Sequence, residues 1–245
     1  MRRRFFVDEV RNGHAQIADE DAKHLTRVLR VEVGQRYEIS DNRAVYLAEI
    51  ETARKELVVF RTLERIATPD PAVRTVLYAS LIKFDHFEWM IEKATELGVA
   101  RIVPVITARI EHGLEKAANK RMERWRRIAL ESSQQSRRAH LPEIGEVTTW
   151  RDTVRCGAGP ELDGYFFALD EDPAAQPLLQ ALPAARQASD TVSLLIGPEG
   201  GWTDDERGEL AATRWIRVSL GPQILRAETA SIAALAVVSS AWLLH

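Results

Sequence analysis

The 245-residue sequence predicts an α/β protein in two parts: a small β-barrel, then a mostly parallel sheet with helices on both faces. Three observations predict it. Residues 1 to 66 read as short β-type segments around one helix, and Thr68-Pro69-Asp70-Pro71 interrupts any regular element. Beyond that break, apolar runs alternate with amphipathic helical stretches. The domains are accordingly expected at 1–68 and 72–245.

In the first part, strands are expected at Arg4–Val7, Arg36–Ser40, Val45–Ile50 and Leu57–Leu63, with alternation clearest from Val45 to Ile50. The helix runs from about Asp19 to Leu29, with acids in its first turn and Arg27 and Arg30 near its end, as the macrodipole favours. Several short strands with one helix suit a small barrel. In the second part, Val73–Ser80 reads as a strand. Asp85 with Glu88 reads as a capping pair that opens a helix, whose Phe87, Met90, Ile91, Ala94 and Leu97 share one face before Gly98 stops it. A strand at Arg101–Ile106 and a long basic helix at Lys116–Gln135 follow. Tyr165–Leu169, Thr191–Ile196 and Ile216–Leu220 are continuous apolar runs, typical of strands covered on both faces.

The opening MRRRFFVDEV reaches Asp8 and Glu9 without an apolar stretch, so no signal peptide is expected. The uncharged run Ala230–Leu244 falls short of the roughly 20 residues that span a bilayer, so it reads as a buried helix and no membrane association is expected. The single cysteine, Cys156, excludes an intramolecular disulfide and a multi-cysteine zinc site. His14, His86, His112, His140 and His245 lack ligand spacing, so no metal is expected. A cytoplasmic location follows as the default. The net charge of −3 hides an asymmetry: residues 116–140 hold eight Lys/Arg against Glu123 and Glu131, a net of +6, whereas residues 151–245 hold a net of −6. The basic stretch suits phosphate, or simply a solvated helix face.

Open α/β sheets bind ligands at the carboxyl ends of their strands. One such end is Thr191–Ile196 followed by Gly197-Pro198-Glu199-Gly200-Gly201-Trp202, where glycines allow close backbone approach, or merely a tight turn into a helix. Thr203-Asp204-Asp205-Glu206 then forms a capping box with three acids in the first turn, occupying the place where a phosphate would dock. Neither GxGxxG nor a Walker A sequence is present; the near miss, Gly157-Ala158-Gly159, continues with Pro160 and Glu161. A ligand with hydroxyls, an adenine edge and a positive centre fits this loop better than a nucleoside phosphate. The second strand end is Leu220-Gly221-Pro222-Gln223-Ile224-Leu225-Arg226-Ala227-Glu228-Thr229-Ala230. Arg226 there meets a helix N-terminus, an unfavourable place for a cation without a partner, and a salt bridge to Glu228 or Glu199 is the plain explanation.

Together, GPEGGWTDDE and LGPQILRAETA resemble the signature of the RsmE family, SPOUT-class methyltransferases that modify N3 of a uridine in 16S small-subunit ribosomal RNA. The resemblance covers nearly the whole chain. Arg4-Phe5-Phe6 and His24–Arg30 through Gly34 match the family's PUA-like domain; Lys83, Glu92–Val99 and Pro104 match its central motif; Gln135, Arg138 and Pro142 fit the next. Departures are Gln134 for a usual Glu, Arg137 for a common Gly, His140 for a common Arg and Trp202 for a common Phe.

The resemblance implies a SPOUT-type parallel sheet with a trefoil knot, at about 165–245, in a homodimer, preceded by a PUA-like barrel. It implies an S-adenosyl-L-methionine site with one wall from Leu195, Ile196, Gly197, Glu199, Gly200 and Gly201. A second wall comes from Leu220, Gly221, Ile224, Leu225 and Ala230, and the loop Asp170-Glu171-Asp172 closes a third side. Small-subunit ribosomal RNA, or the assembled 30S subunit, is the expected partner, gripped by Arg2, Arg4, His24, Arg27, Arg30, Lys83, Arg124 and Arg138. Arg226 is the expected catalytic residue, since a planar guanidinium can stabilise charge on a uracil carbonyl. Glu228 is the nearest candidate proton acceptor. Two rival readings stay open here: a SPOUT methyltransferase for another RNA or base position, and an RNA-binding module without activity.

Overall fold

The computed structural model describes residues 3–156, 164–172 and 174–244; Arg2, Gly157-Ala158-Gly159 and His245 lie outside the described residues. Contacts divide the chain into two compact units, Met1–Pro69 with Leu130–Leu141, and Asp70–Ala129 with Pro142–His245.

The first unit contains β1 (Arg4–Phe6), β2 (His14–Ala18), α1 (Asp19–Arg27), β3 (Arg36–Ser40), β4 (Val45–Arg54) and β5 (Leu57–Ile66). They form one sheet in the order β1-β3-β4-β5-β2, antiparallel except where β1 runs parallel to β3. Strand β2 was not anticipated. Its alternation is carried by only two small contacts with the core, Ala15 and Ile17, and its entry is the turn Asn12-Gly13, both residues at positive φ. Helix α1 lays Ala22 and Leu25 against a core of Phe5, Ile39, Ile50, Val58 and Phe60.

Arg4 is placed otherwise than an RNA contact would need. It is 5% exposed. Its Nε and Nη2 donate to Glu38 Oε2 at 3.1 and 2.7 Å, and Nη1 donates to the carbonyl of Arg137. Arg137 also pairs with the second oxygen of Glu38. Arg137 has φ +56, the left-handed region, which is why a glycine suits the position. In this chain the arginine bears that backbone conformation while neutralising a buried carboxylate. The neighbouring departure, His140, bonds through Nδ1 to the carbonyl of Asn42 at 2.9 Å, and Ser40 Oγ donates to Ala139 O. Arg137→Ala should therefore destabilise the protein more than Arg137→Gly, by about 1 kcal/mol, because only glycine relieves the φ strain when the ion pair is lost. Chemical denaturation of the two variants checks the order.

The second unit contains β6 (Arg74–Ser80), α2 (Phe84–Glu96), β7 (Arg101–Ile106), α3 (Leu114–Ala118), the start of α4 (Met122–Ser136, which from Leu130 on belongs to the first unit), β8 (Glu143–Ile144), β9 (Thr148–Thr149), α5 (Trp150–Cys156), β10 (Tyr165–Leu169), β11 (Gln176–Pro177), α6 (Leu178–Ala181), β12 (Thr191–Ile196), α7 (Asp204–Ala211), β13 (Ile216–Ser219) and α8 (Ala227–Trp242). Its described strands pair in parallel, in the order β11-β13-β10-β12-β6-β7-β8, with β9 also on β7. The apolar runs of β10 and β12 are buried nearly throughout.

Two local expectations are corrected. The basic helix is interrupted by a 3₁₀ turn at Asn119–Arg121, where Asn119 is a poor helix former. Helix α2 begins at Phe84 behind Lys83 with no side-chain cap, and Glu88 instead pairs with Arg121 and Arg124 at 3.2 and 2.8 Å. The expected face of α2 is buried: Phe87, Met90, Ile91 and Ala94, with Phe87 against Trp125 at 4.7 Å between centroids. Helix α8 starts three residues before the uncharged run, at Ala227, and buries Ser231, Ala234, Leu235, Val238, Ala241 and Trp242. Among the described residues no helix is long and apolar enough to cross a membrane.

Candidate active site

Four adjacent parallel strands, β13, β10, β12 and β6, end on one side of the second unit, and their carboxyl ends surround a cavity of about 550 Å³. That volume suits one nucleoside-sized ligand. Leu169–Glu171 enter from the end of β10, Ile196–Glu199 with Gly201 and Trp202 from β12, Leu220–Gly221 and Gln223–Ala227 from β13, and Lys83 and His86 from the segment after β6. Ala230 completes the lining from α8.

Of the residues expected on the first wall, Ile196, Gly197, Glu199 and Gly201 line the cavity. Leu195 does not. Strand alternation points it to the opposite face, where it is fully buried with Trp202, Leu210 and Trp215. Gly200 also lies off the lining; a Cβ there would stand 3.2 Å from Arg109 Cβ. All five residues expected on the second wall, Leu220, Gly221, Ile224, Leu225 and Ala230, line it, as do Asp170 and Glu171. Ile224 is 79% exposed, an apolar side chain offered at the mouth.

The loops are fixed by contacts that sequence reasoning missed. Trp202 Nε1 donates to the Leu169 carbonyl at 2.7 Å, tying the glycine loop to the end of β10. Arg109 Nη1 donates to the carbonyls of Gly200 and Trp202 at 2.8 and 3.2 Å. Glu206 completes the predicted capping box with Thr203 and also accepts from the Ala108 N–H at 3.0 Å. Gly201 has φ +67, a backbone conformation that favours glycine, and a Cβ on it would push aside the end of the Glu171 side chain. Asp170, its side chain wholly buried, accepts from Arg207 Nε and Nη2, both at 3.2 Å, and from Arg217 Nη1 at 3.0 Å. Position in the fold gave the one available signal: Ala108 and Arg109 follow the carboxyl end of β7.

Burial alone would push the Asp170 carboxyl up, but hydrogen bonds from Arg207, the Asp172 amide and Arg217 outweigh it and hold its pKa below the ordinary value. A carboxylate depressed in the folded state contributes stability that is full above its unfolded-state pKa and lost as the pH falls through the native one. Wild-type melting temperature should therefore drop between about pH 5 and pH 2, and Asp170→Asn, already destabilised at neutral pH, should show a shallower acid limb. A pH series of thermal scans measures both.

Cavity charge is mixed. Lys83 and Arg226 bring cations; Asp170, Glu171 and Glu199 bring carboxylates. Arg226, the N-cap residue of α8, is exposed and among the described residues forms no ion pair; the bridge to Glu228 or Glu199 is not made. Glu228 is instead buried and accepts from His86 Nδ1 at 2.9 Å. Helix α7 presents Asp204, Asp205 and Glu206 at its start and caps itself with Thr203, so this helix end holds no vacant anion site. Backbone walls at Gly197, Gly201 and Gly221, with carboxylates and no phosphate cradle, suit a nucleoside carrying positive charge.

The residues expected to grip RNA are dispersed. His24, Arg27 and Arg30 are exposed on and just after α1. Lys83 lines the cavity, and Arg124 pairs with Glu88. Arg138 is partly buried, donates from Nε to the His140 carbonyl at 3.0 Å, and burial lowers its pKa to about 10, which leaves it cationic at neutral pH.

Fold and cavity together place the chain in a defined class. Residues 69–239 match the RNA methyltransferase domain family, and residues 17–63 match the RNA methyltransferase PUA domain family. A Synechocystis relative, a ribosomal RNA small subunit methyltransferase E, is 33% identical over 220 residues, covering 89% of this chain and 70% of that one. Its Bacillus subtilis namesake is 29% identical over 231 residues, covering 91% and 88%. The crystal structure of the Neisseria gonorrhoeae enzyme of that name, bound to S-adenosyl methionine, superposes with a TM-score of 0.86 at 27% identity, covering 99% of this chain and 98% of that one. The chain belongs to the ribosomal RNA small subunit methyltransferase E family.

Proposed function

We propose that the protein is an S-adenosylmethionine-dependent methyltransferase that methylates N3 of a specific uridine in 16S small-subunit ribosomal RNA. The observation that carries this reading is the glycine-walled cavity at the ends of β10, β12 and β13, beside a helix start already capped by Thr203 and Glu206. Relatives of the same family bind S-adenosyl methionine or are named for this RNA. Ile196, Gly197, Glu199, Gly201, Leu220, Gly221, Ile224, Leu225 and Ala230 would hold the cofactor, with Glu171 and Glu199 favouring its positive centre. Bound there, the cofactor supplies an electrophilic methyl group on a sulfonium. The chain's own part is to order the loops, exclude water, and present Arg226 to the base. The imino nitrogen of uracil keeps its proton at neutral pH, and its loss spreads negative charge onto the flanking carbonyl oxygens. Arg226, exposed and without an ion pair among the described residues, is suited to donate to those oxygens.

RNA contact falls to His24, Arg27 and Arg30 from the 1–68 domain and to Lys83, Arg124 and Arg138, mostly through phosphates. The 72–245 domain would work as a homodimer carrying the family's knot. The only partly buried Ile232, Ala233, Ala236 and Val237 of α8 and the non-sequential neighbours β13, β10 and β12 support that. A cytoplasmic location follows from the substrate. The test is mass spectrometry of 16S RNA from a strain lacking the gene: loss of one N3-methyluridine, restored by the wild-type gene, is expected. An unchanged modification profile, or calorimetry finding no affinity for S-adenosylmethionine, overturns the reading.

A further inference from the structure

A buried carboxylate beside the cavity raises a question the sequence left open. Glu228 is 6% exposed in the first turn of α8. Its Oε1 lies 2.9 Å from His86 Nδ1, while its Oε2 is buried with no hydrogen-bond partner among the described residues. His86 sits in the first turn of α2 and lines the same cavity as Arg226 and Lys83. The two residues are 142 apart in sequence and meet only because α2 packs on α8. A carboxylate accepts, so Nδ1 carries the ring proton and Nε2 keeps its lone pair. The carboxylate nearest Nε2, Asp85 Oδ2, stands 3.8 Å away on a largely exposed side chain, too far for a hydrogen bond. Among the described residues no donor bonds Nε2 either, so its lone pair is left unengaged. Of the charged groups on these helix starts, Asp85 and Glu228 approach the ring, and Lys83 and Arg226 line the same cavity.

We propose that His86 is the proton acceptor of the reaction, with Glu228 as its positioning residue. This rests on the methyltransferase reading above. The imino proton of the target base passes to His86 Nε2. The freed N3 pair forms the N–C bond to the methyl carbon as the C–S bond breaks, and that bond's electrons stay on the departing thioether sulfur. The imidazolium then sits against the Glu228 carboxylate, which offsets its charge, and releases the proton to solvent. Burial of Glu228 fixes ring orientation and tautomer, as a carboxylate does for a catalytic histidine elsewhere. Arg226 steadies charge on the carbonyl oxygens while His86 takes the proton, so the two act on different atoms of one base.

The decisive variant is His86→Asn. Its amide nitrogen can replace Nδ1 as donor to Glu228, so the fold is kept, but nothing replaces Nε2. We expect kcat to fall about 10²–10⁴-fold, with the KM for RNA, the cofactor affinity by calorimetry and the melting temperature held. The acid limb of the wild-type rate profile should vanish in the variant, and added imidazole should restore part of the rate in His86→Ala. Spectra of ¹⁵N-histidine-labelled protein should find Nδ1 protonated and Nε2 as the acceptor in the neutral ring, independently of turnover. Wild-type transfer with His86→Asn retaining both rate and pH profile overturns the acceptor role alone, as does a neutral ring protonated on Nε2. A wild-type protein that transfers no methyl group overturns the underlying reading and this inference with it.

Discussion

Replacing Arg226 with alanine is expected to lower kcat for methyl transfer by about 10²–10³-fold, the usual loss when one preorganised donor to a developing oxyanion is removed. Arg226 is exposed at the cavity wall and among the described residues holds no ion pair, so its removal leaves no buried carboxylate uncompensated. Stability and cofactor affinity should accordingly change little. Arg226→Lys keeps the charge but loses the planar pair of donors, and should recover only part of the rate. Single-turnover transfer from labelled cofactor, beside calorimetry for binding, separates these effects. Full turnover in Arg226→Ala would remove Arg226 from the mechanism.

The second large effect is expected at Trp202. The ring is 1% exposed, packs 5.1 Å from Trp150 between centroids, and lies directly beneath Gly197, whose added Cβ would stand 3.1 Å from it. Its Nε1 also satisfies the Leu169 carbonyl. Trp202→Ala should destabilise the protein by about 3–5 kcal/mol through the cavity it leaves, and cofactor affinity should fall with it because Gly197 and Leu169 lose a common support. Trp202→Phe restores the side chain common in the family yet cannot donate to Leu169. It should cost about 1–3 kcal/mol, with binding weakened less. Urea denaturation and calorimetry on both variants give the comparison. Equal affinity in all three proteins would mean that the ring supports the fold without shaping the site.

The sequence made the strand ends at Ile196 and Leu220 legible because glycines and a capping box are local signals, and the structure brings both segments to one cavity. The tandem motifs also carry the family resemblance by themselves. Side-chain direction was less legible. Leu195 belongs to the same motif as Ile196, yet strand alternation turns it into the opposite core. Arg4 is expected to grip RNA from its place in the PUA-like motif, but Glu38, 34 residues on, claims it. The return of residues 130–141 to the first unit, through the Arg137 and His140 contacts, has no local signature at all. The same holds for the His86–Glu228 pair, since neither residue predicts the other. By contrast, Asn12-Gly13 was a visible hairpin turn, and strand β2 could have been read from it.

The cavity takes its walls from four strand ends spread between Lys83 and Ala230. Such a pocket has no partial form. While the ribosome is still making α8, neither the Leu220–Arg226 edge nor the carboxylate behind His86 is in place, and bringing such distant segments together costs chain entropy before their contacts repay it. Ligand capture is thereby reserved for a finished polypeptide, and once captured, the small molecule draws together elements far apart in the chain and stabilises the folded state by mass action.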